Sequence, residues 1–361
     1  MRTSSLIASF AVMSFAVATA GHAQSIGYVG TLGGELSSAV SYNSAGGANS
    51  VAIVATGEYQ VTLGGLGDGL NSNVQVNAAA YDGTVHYCTI GDWGSFNGVD
   101  VTAFVFCFDI SGNPLTEDFT LLYQARTGAP PSGSIAFLWA DQPTIAVGKT
   151  YKPDSSYSYN STGGTNTVKH ESTGLFYAFL PGLPEHGNVQ VTAYGGGAAR
   201  CEVTDWIKHV SGSRVGVYCV DGASVAADEY FSLSYTEGTT EAAGPSATAN
   251  GAYAWANKPA IVNYVPNKTR QFNSVSAPDY LTAQRFGGPV LGQYSLTVPN
   301  PSNLSFNTFL GMVTANGTSG EFCNMAGINV LDGEIYMDVF CYASEGILQD
   351  TMYSGTLIFS N

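Results

Sequence analysis

Charge, and positive charge above all, is what this 361-residue chain has least of. Charged residues make up 11% of it, against roughly a quarter in an ordinary globular protein. Twelve Lys and Arg stand against 27 Asp and Glu, for a net charge of −15 at pH 7. That balance excludes the basic patches that nucleic acids and anionic membranes require. Beyond the first two dozen residues no apolar run approaches the roughly 18 residues of a membrane helix, so no integral span is expected. Helical apolar spacing is missing throughout, and so are GxSxG, HExxH and CxxC. With five histidines in the whole chain, the familiar serine-hydrolase, zinc-peptidase and zinc-finger readings have no foothold.

What is present favours strands. Glycine stands at 44 and tyrosine at 21, with many Thr and Val, and apolar residues alternate with polar ones between short Gly/Asn/Asp turns. The first residues follow another logic. Arg2, the apolar run Leu6 to Ala18 (LIASFAVMSFAVA) and Gly21-His22-Ala23 have the layout of a signal peptide over 1–23. The expected location is therefore secreted, extracellular or periplasmic. Cleavage would remove Arg2 and no acid, leaving the mature chain one unit more negative.

Three copies of one unit follow. SYNSAGGANSV at Ser41 returns as SYNSTGGTNTV at Ser158, and NVQVNAAAY at Asn73 returns as NVQVTAY at Asn188. VFCFD, VYCVD and VFCYA recur at Val105, Val217 and Val339, and FLWADQP at Phe137 matches YAWANKP at Tyr253. SIGYVG, just after the expected leader, is the worn first copy of that last motif. The units are 24–127, 134–238 and a divergent third at 249–361. The separators are TGAPPSG and TEGTTEAAGPSATAN, the second of a composition that suits a flexible linker. The expectation is an all-β protein of three tandem antiparallel modules, each a β-sandwich or a small barrel of seven or eight strands with one buried face. Short connections suggest a meander.

The six cysteines fall two per unit, as Cys88 and Cys107, Cys201 and Cys219, Cys323 and Cys341. Each pair lies on two consecutive strands and the same inward face, where cross-strand Cβ atoms stand about 4.5–5.5 Å apart. In an exported protein with an even count this predicts three disulfides, not nucleophiles or metal ligands. The four histidines after the leader, His86, His170, His186 and His209, recur in no second unit and are expected at surfaces or strand edges.

Two further groups are candidates for function. Asp109 and Asp118, and then Asp221 and Asp228, flank the turn before the FxLxY strand, where carboxylates could hold Ca²⁺. Turn chemistry accounts for the same residues without a metal, and no other cofactor is called for. Trp93 and Trp206, at the end of the first cysteine strand, and Trp139 and Trp255, on the opening strand, are either core or an aromatic surface for a ligand. Ile328 replaces the first Trp in the third unit.

The run GxYxVxLxGL…NVQVTAY…CxVxxW…VxVxCxD…FxLxY…WAxxP resembles tandem repeats of exported bacterial β proteins. It covers the first two units well and the third poorly. The resemblance implies export and a β module, and brings neither an activity nor site residues. The function expected is that of a secreted, non-catalytic, multi-module binding protein for an extracellular polymer, such as a polysaccharide, or a protein ligand. The alternatives are a secreted hydrolase using carboxylates and a structural matrix or surface protein.

Overall fold

The computed structural model describes residues 24–67, 69–126, 128, 130, 132–241, 249–275, 280–286, 291–299 and 306–360. The expected leader and residues 242–248 of the second separator lie outside these residues. The described chain is all-β, in four open sheets. Its only helical turn among the described residues is a three-residue 3-10 turn, Ser155–Tyr157.

The strands of each sequence unit divide into two facing layers, so the sandwich alternative holds and the barrel does not. In the first unit one layer runs Glu35–Asn43, Ser25–Leu32, Phe119–Ala125, Ser72–Ala78, in that spatial order. The other runs Asn49–Ala55, Glu58–Leu63, Val101–Asp109, His86–Gly94. The second and third units repeat both orders and add a two-residue strand, Thr150–Tyr151 or Asn263–Tyr264, for nine strands each against eight in the first. The meander expectation is corrected here. The chain crosses between layers, so that Glu58–Leu63 pairs with Val101–Asp109 and not with its sequence neighbour Ser72–Ala78. Crossing lets each layer bury its apolar face against the other. Val29, Val76 and Leu121 of one layer share a core with Val61, Ile90 and Val105 of the other, and the other two units form corresponding cores.

The units are joined edge to edge. We term Ser72–Ala78, Asn188–Tyr194 and Thr308–Asn316 the axial strands, and His86–Gly94, Arg200–His209 and Phe322–Leu331 the cysteine strands. The first cysteine strand runs parallel to the second axial strand, joining two layers into an eight-stranded sheet. The second cysteine strand joins the third axial strand in the same way, giving a nine-stranded sheet. A parallel bridge between Met325 and Ala79 then links the third unit back to the first. One hydrogen bond marks each joint: Gly195 N to Ile90 O at 2.7 Å, Gly317 N to Val203 O at 3.1 Å, and Ala80 N to Met325 O at 2.8 Å. Shared sheets and cyclic closure make one ring of the three units, in place of the separate tandem bodies expected.

The ring also corrects the expectation of one buried face per strand. Ser72–Ala78 is buried along its whole length. Its Val residues face the sandwich core, and its Asn and Gln residues face the neighbouring units. Thr192 donates to Gln75 Oε1 and Thr314 to Gln190 Oε1, both at 2.9 Å. Asn77 Nδ2 donates to Val313 O and Cys323 O at 3.1 Å. A buried polar side chain stabilises only when it is hydrogen-bonded, so these pairs fix how the units meet. The separator is likewise no solvated linker at its start: Thr239, Thr240 and Glu241 are buried, and Arg126 donates to Glu241 O at 2.9 Å.

Candidate functional site

The three expected disulfides are present, and each joins residues directly opposite in the ladder. Cys88–Cys107, Cys201–Cys219 and Cys323–Cys341 have Cα atoms 4.0, 4.1 and 4.0 Å apart. Cys88, Cys201 and Cys323 line a cavity of about 50 Å³ to which all three units contribute. Beside it lies Arg200, with its guanidinium 4.7 Å from the Tyr87 ring and 5.0 Å from the Phe322 ring. Its Nη2 donates to Ser224 Oγ at 2.6 Å. Tyr87, Arg200 and Phe322 each immediately precede the first cysteine of their unit, so one position has been split into a cation and the two rings that hold it.

The acidic turns are built by their own hydrogen bonds. Asp109 Oδ1 accepts from the N–H groups of Ser111 and Asn113, and Asp221 Oδ1 from those of Ala223 and Val225, all at 2.8–2.9 Å. Asp118 receives Gly33 N and Gly34 N, while Asp228 Oδ1 receives Gly174 N at 2.7 Å and faces His170 Nε2 at 3.0 Å. Among the described residues no group of three or more His, Cys, Asp or Glu side chains is placed to hold a metal ion. The repeated Asn43 and Asn160 are also turn residues, donating to Asn49 and Gly64 and to Asn166 and Pro181. His86 and His170 are buried, contrary to the surface expectation. Each is held by a backbone carbonyl, Thr84 O or Ile145 O, so imidazoles of this kind serve local architecture.

One acid lies outside the sequence expectation. Glu202 follows Cys201, is 1% exposed, and accepts from Gly320 N at 2.7 Å across the joint between the second and third units. Burial first, and then the neighbouring Glu321 carboxyl, push its pKa well above the usual carboxylate range. The folded state therefore holds this proton more tightly than the unfolded chain does. Its contribution to stability is complete below the ordinary Glu pKa and is lost as pH rises through the raised value. Glu202→Gln keeps the acceptor and cannot ionise. Its thermal midpoint should gain on the wild type as pH rises above the ordinary Glu pKa, and parallel pH profiles for the two proteins would refute this assignment.

The four tryptophans meet in pairs, each pair uniting two units. Trp93 of the first unit lies 6.2 Å from Trp139 of the second, and Trp206 of the second lies 5.1 Å from Trp255 of the third. Trp93 and Trp206 are buried at 4% and 2% exposure, while Trp139 and Trp255 are half-buried. Pairing register identifies the third member of each group. Tyr159 pairs with Phe137 and Phe272 with Tyr253, each pair stacked, so Tyr157 and Arg270, two residues earlier, occupy one position. Tyr28 stacks on Tyr42 in the first unit, which puts Gly30 where the others have Trp139 and Trp255, and Val40 where they have Tyr157 and Arg270.

The three junctions are thus one arrangement filled in three ways. Between the second and third units Arg270 lies 4.2 Å from the Trp206 ring centre and 4.6 Å from that of Trp255, and its Nη2 donates to Trp206 O at 2.7 Å. Between the third and first units Ile328 and Val40 border an apolar recess of about 210 Å³. A Cβ on Gly30 would come within 2.6 Å of Val40, so no ring fits there. Between the first and second units Trp93, Trp139, Tyr157 and Tyr194 surround a void of about 80 Å³ with Asp92 at its border. Tyr194 donates to Asp92 Oδ1 at 3.2 Å, and burial and that carboxylate both raise the phenol pKa. Tyr157 escapes a search for repeated motifs because Val40 and Arg270 stand in its place, and Tyr194 closes a repeated motif whose first copy ends in Tyr81 two residues later. Their signal is the break in the repeat itself.

No protein-family model matches this chain, and no curated protein or solved structure matches it significantly.

Proposed function

We propose that the protein is a secreted, non-catalytic binding protein whose ligand site is the aromatic junction between its first and second units. The observation that carries this reading is the contrast between equivalent junctions. The second is filled by Arg270, and the first keeps four rings and a carboxylate around open space. Aromatic walls with a few polar groups are the usual lining of a small binding site. Three disulfides accord with an oxidising location outside the cytoplasm. The partner class is an extracellular polymer or protein displaying a group that enters this junction.

The hydrolase alternative finds less support. The closely placed carboxyl pair, Glu202 and Glu321, has its first member sealed under the joint. Because the units share sheets, the test uses the full chain: retention on a panel of cell-wall fractions, capsular polysaccharides and outer-surface extracts. Saturable retention on at least one polymer or extract is expected, and retention on none would end the binding reading.

A further inference from the structure

We infer that the junction between the first and second units is an aromatic cage for a quaternary ammonium group. This deepens the binding reading given above and rests on it. The argument begins with the sister junction, where the protein supplies a cation of its own. Arg270 lies against two indoles and stands, by register, where the first junction has Tyr157. The fold therefore already accommodates a cation at this place, against two ring faces, and an acidic residue precedes the buried Trp at both junctions. That acid is Asp205 at the filled junction, where it pairs with Arg214 at 2.9 Å, and Asp92 at the open one. With Tyr157 in place of the arginine, the open junction keeps the negative charge and the rings and lacks the cation.

Ring geometry separates this ligand class from a sugar. A pyranose stacks on a flat, exposed ring face. Here Trp93 stands at 84° to both Tyr157 and Tyr194, and Trp139 at 86° to Tyr157. Rings packed edge to face at 5.4–5.7 Å offer no single flat platform, so the lining suits a compact group better than a flat pyranose. The void of about 80 Å³ holds roughly five to eight water-sized groups at about 10–15 Å³ each, enough for a nitrogen and its methyl groups.

Acceptor supply then selects among cations. Asp92 Oδ1 already receives Trp93 N at 2.8 Å and Tyr194 Oη–H at 3.2 Å, which leaves Oδ2 to face the several donors of an N–H-rich ligand. The guanidinium of Arg270 meets that need with Trp206 O. A tetraalkylated nitrogen has no donor to satisfy and spreads its charge over methyl surface, the combination that aromatic cages favour. The unpartnered Nε1–H of Trp139 does not argue for a hydroxylated ligand, because Trp206 and Trp255 have the same unpartnered Nε1–H at the filled junction. The net charge of −15 favours the approach of a cation.

The test is calorimetric titration of the full chain with tetramethylammonium, with choline, and with the uncharged alcohol in which a tert-butyl group replaces choline's trimethylammonium head. Both cations should bind one to one and at least about tenfold more tightly than the uncharged isostere, with Asp92→Asn weakening them about five- to tenfold. Equal binding of the isostere, or no binding of either cation, would overturn the inference. In either event, retention on extracellular material would still stand or fall separately. Co-sedimentation with phosphatidylcholine vesicles but not phosphatidylglycerol vesicles would place the group on a lipid surface. Choline binding without co-sedimentation would place it off the lipid surface, on the extracellular polymer or protein if retention is competed by choline and on a free solute if it is not.

Discussion

Replacing Trp206 by alanine is expected to destabilise the protein by about 3–5 kcal/mol, the range for truncating a large buried aromatic. The site argues for the upper part of that range. The indole is 2% exposed, stands at 64° to Trp255 with ring centres 5.1 Å apart, and carries the Arg270 guanidinium 4.2 Å from its centre. Truncation therefore opens a cavity and also leaves a half-buried cation with one ring in place of two. A desolvated cation–π contact is worth about 2 kcal/mol. Trp139→Ala should cost roughly half as much or less, because that ring is partly exposed and borders an existing void. Urea unfolding followed by far-ultraviolet circular dichroism measures both. Equal losses for the two variants would contradict the distinction drawn between a filled junction and an open one.

Reducing the three disulfides should have the larger total effect. Each closes a loop with a sequence separation of 18 or 19, which stabilises by about 3 kcal/mol in the chain-entropy model. Three together rival the whole stability of a typical domain, about 5–15 kcal/mol. The bridges also sit where the units meet, because Cys88, Cys201 and Cys323 line the shared axial cavity. Protein in which six free thiols have been counted should be unfolded at 37 °C without denaturant, while the oxidised form keeps its strand signal. A fully reduced protein melting within a few degrees of the oxidised one would show that the hydrogen-bonded joints, not the bridges, hold the ring.

How much of this was legible in the chain depended on which neighbour a residue faces. The alternation in Leu175–Pro181 shows its buried face directly, since its other face is less enclosed. The cysteine pairs were legible because a hairpin sets partners by local register. Asn73, Gln75 and Gln190 carried the opposite implication, reading as the solvent side of their strands. They are buried because another unit lies against them, and a polar residue facing a hydrogen-bonding neighbour has the same sequence pattern as one facing water. Closure of the ring through Ala79 and Met325 has no local signal at all, since its partners are 246 residues apart. The tryptophans stood out in the chain as a group of four. That Trp93 pairs with Trp139, and Trp206 with Trp255, became visible only once the units were joined edge to edge.

The central claim is that the junction lacking a built-in cation is the place where the protein binds. Tyr157→Arg tests it most directly, because it copies into the first junction the residue that fills the second. The variant should keep the wild-type thermal midpoint to within a few degrees. It should also lose both the tryptophan fluorescence response to tetramethylammonium and the retention on extracellular material. A folded Tyr157→Arg protein that still binds as the wild type does would place the site elsewhere.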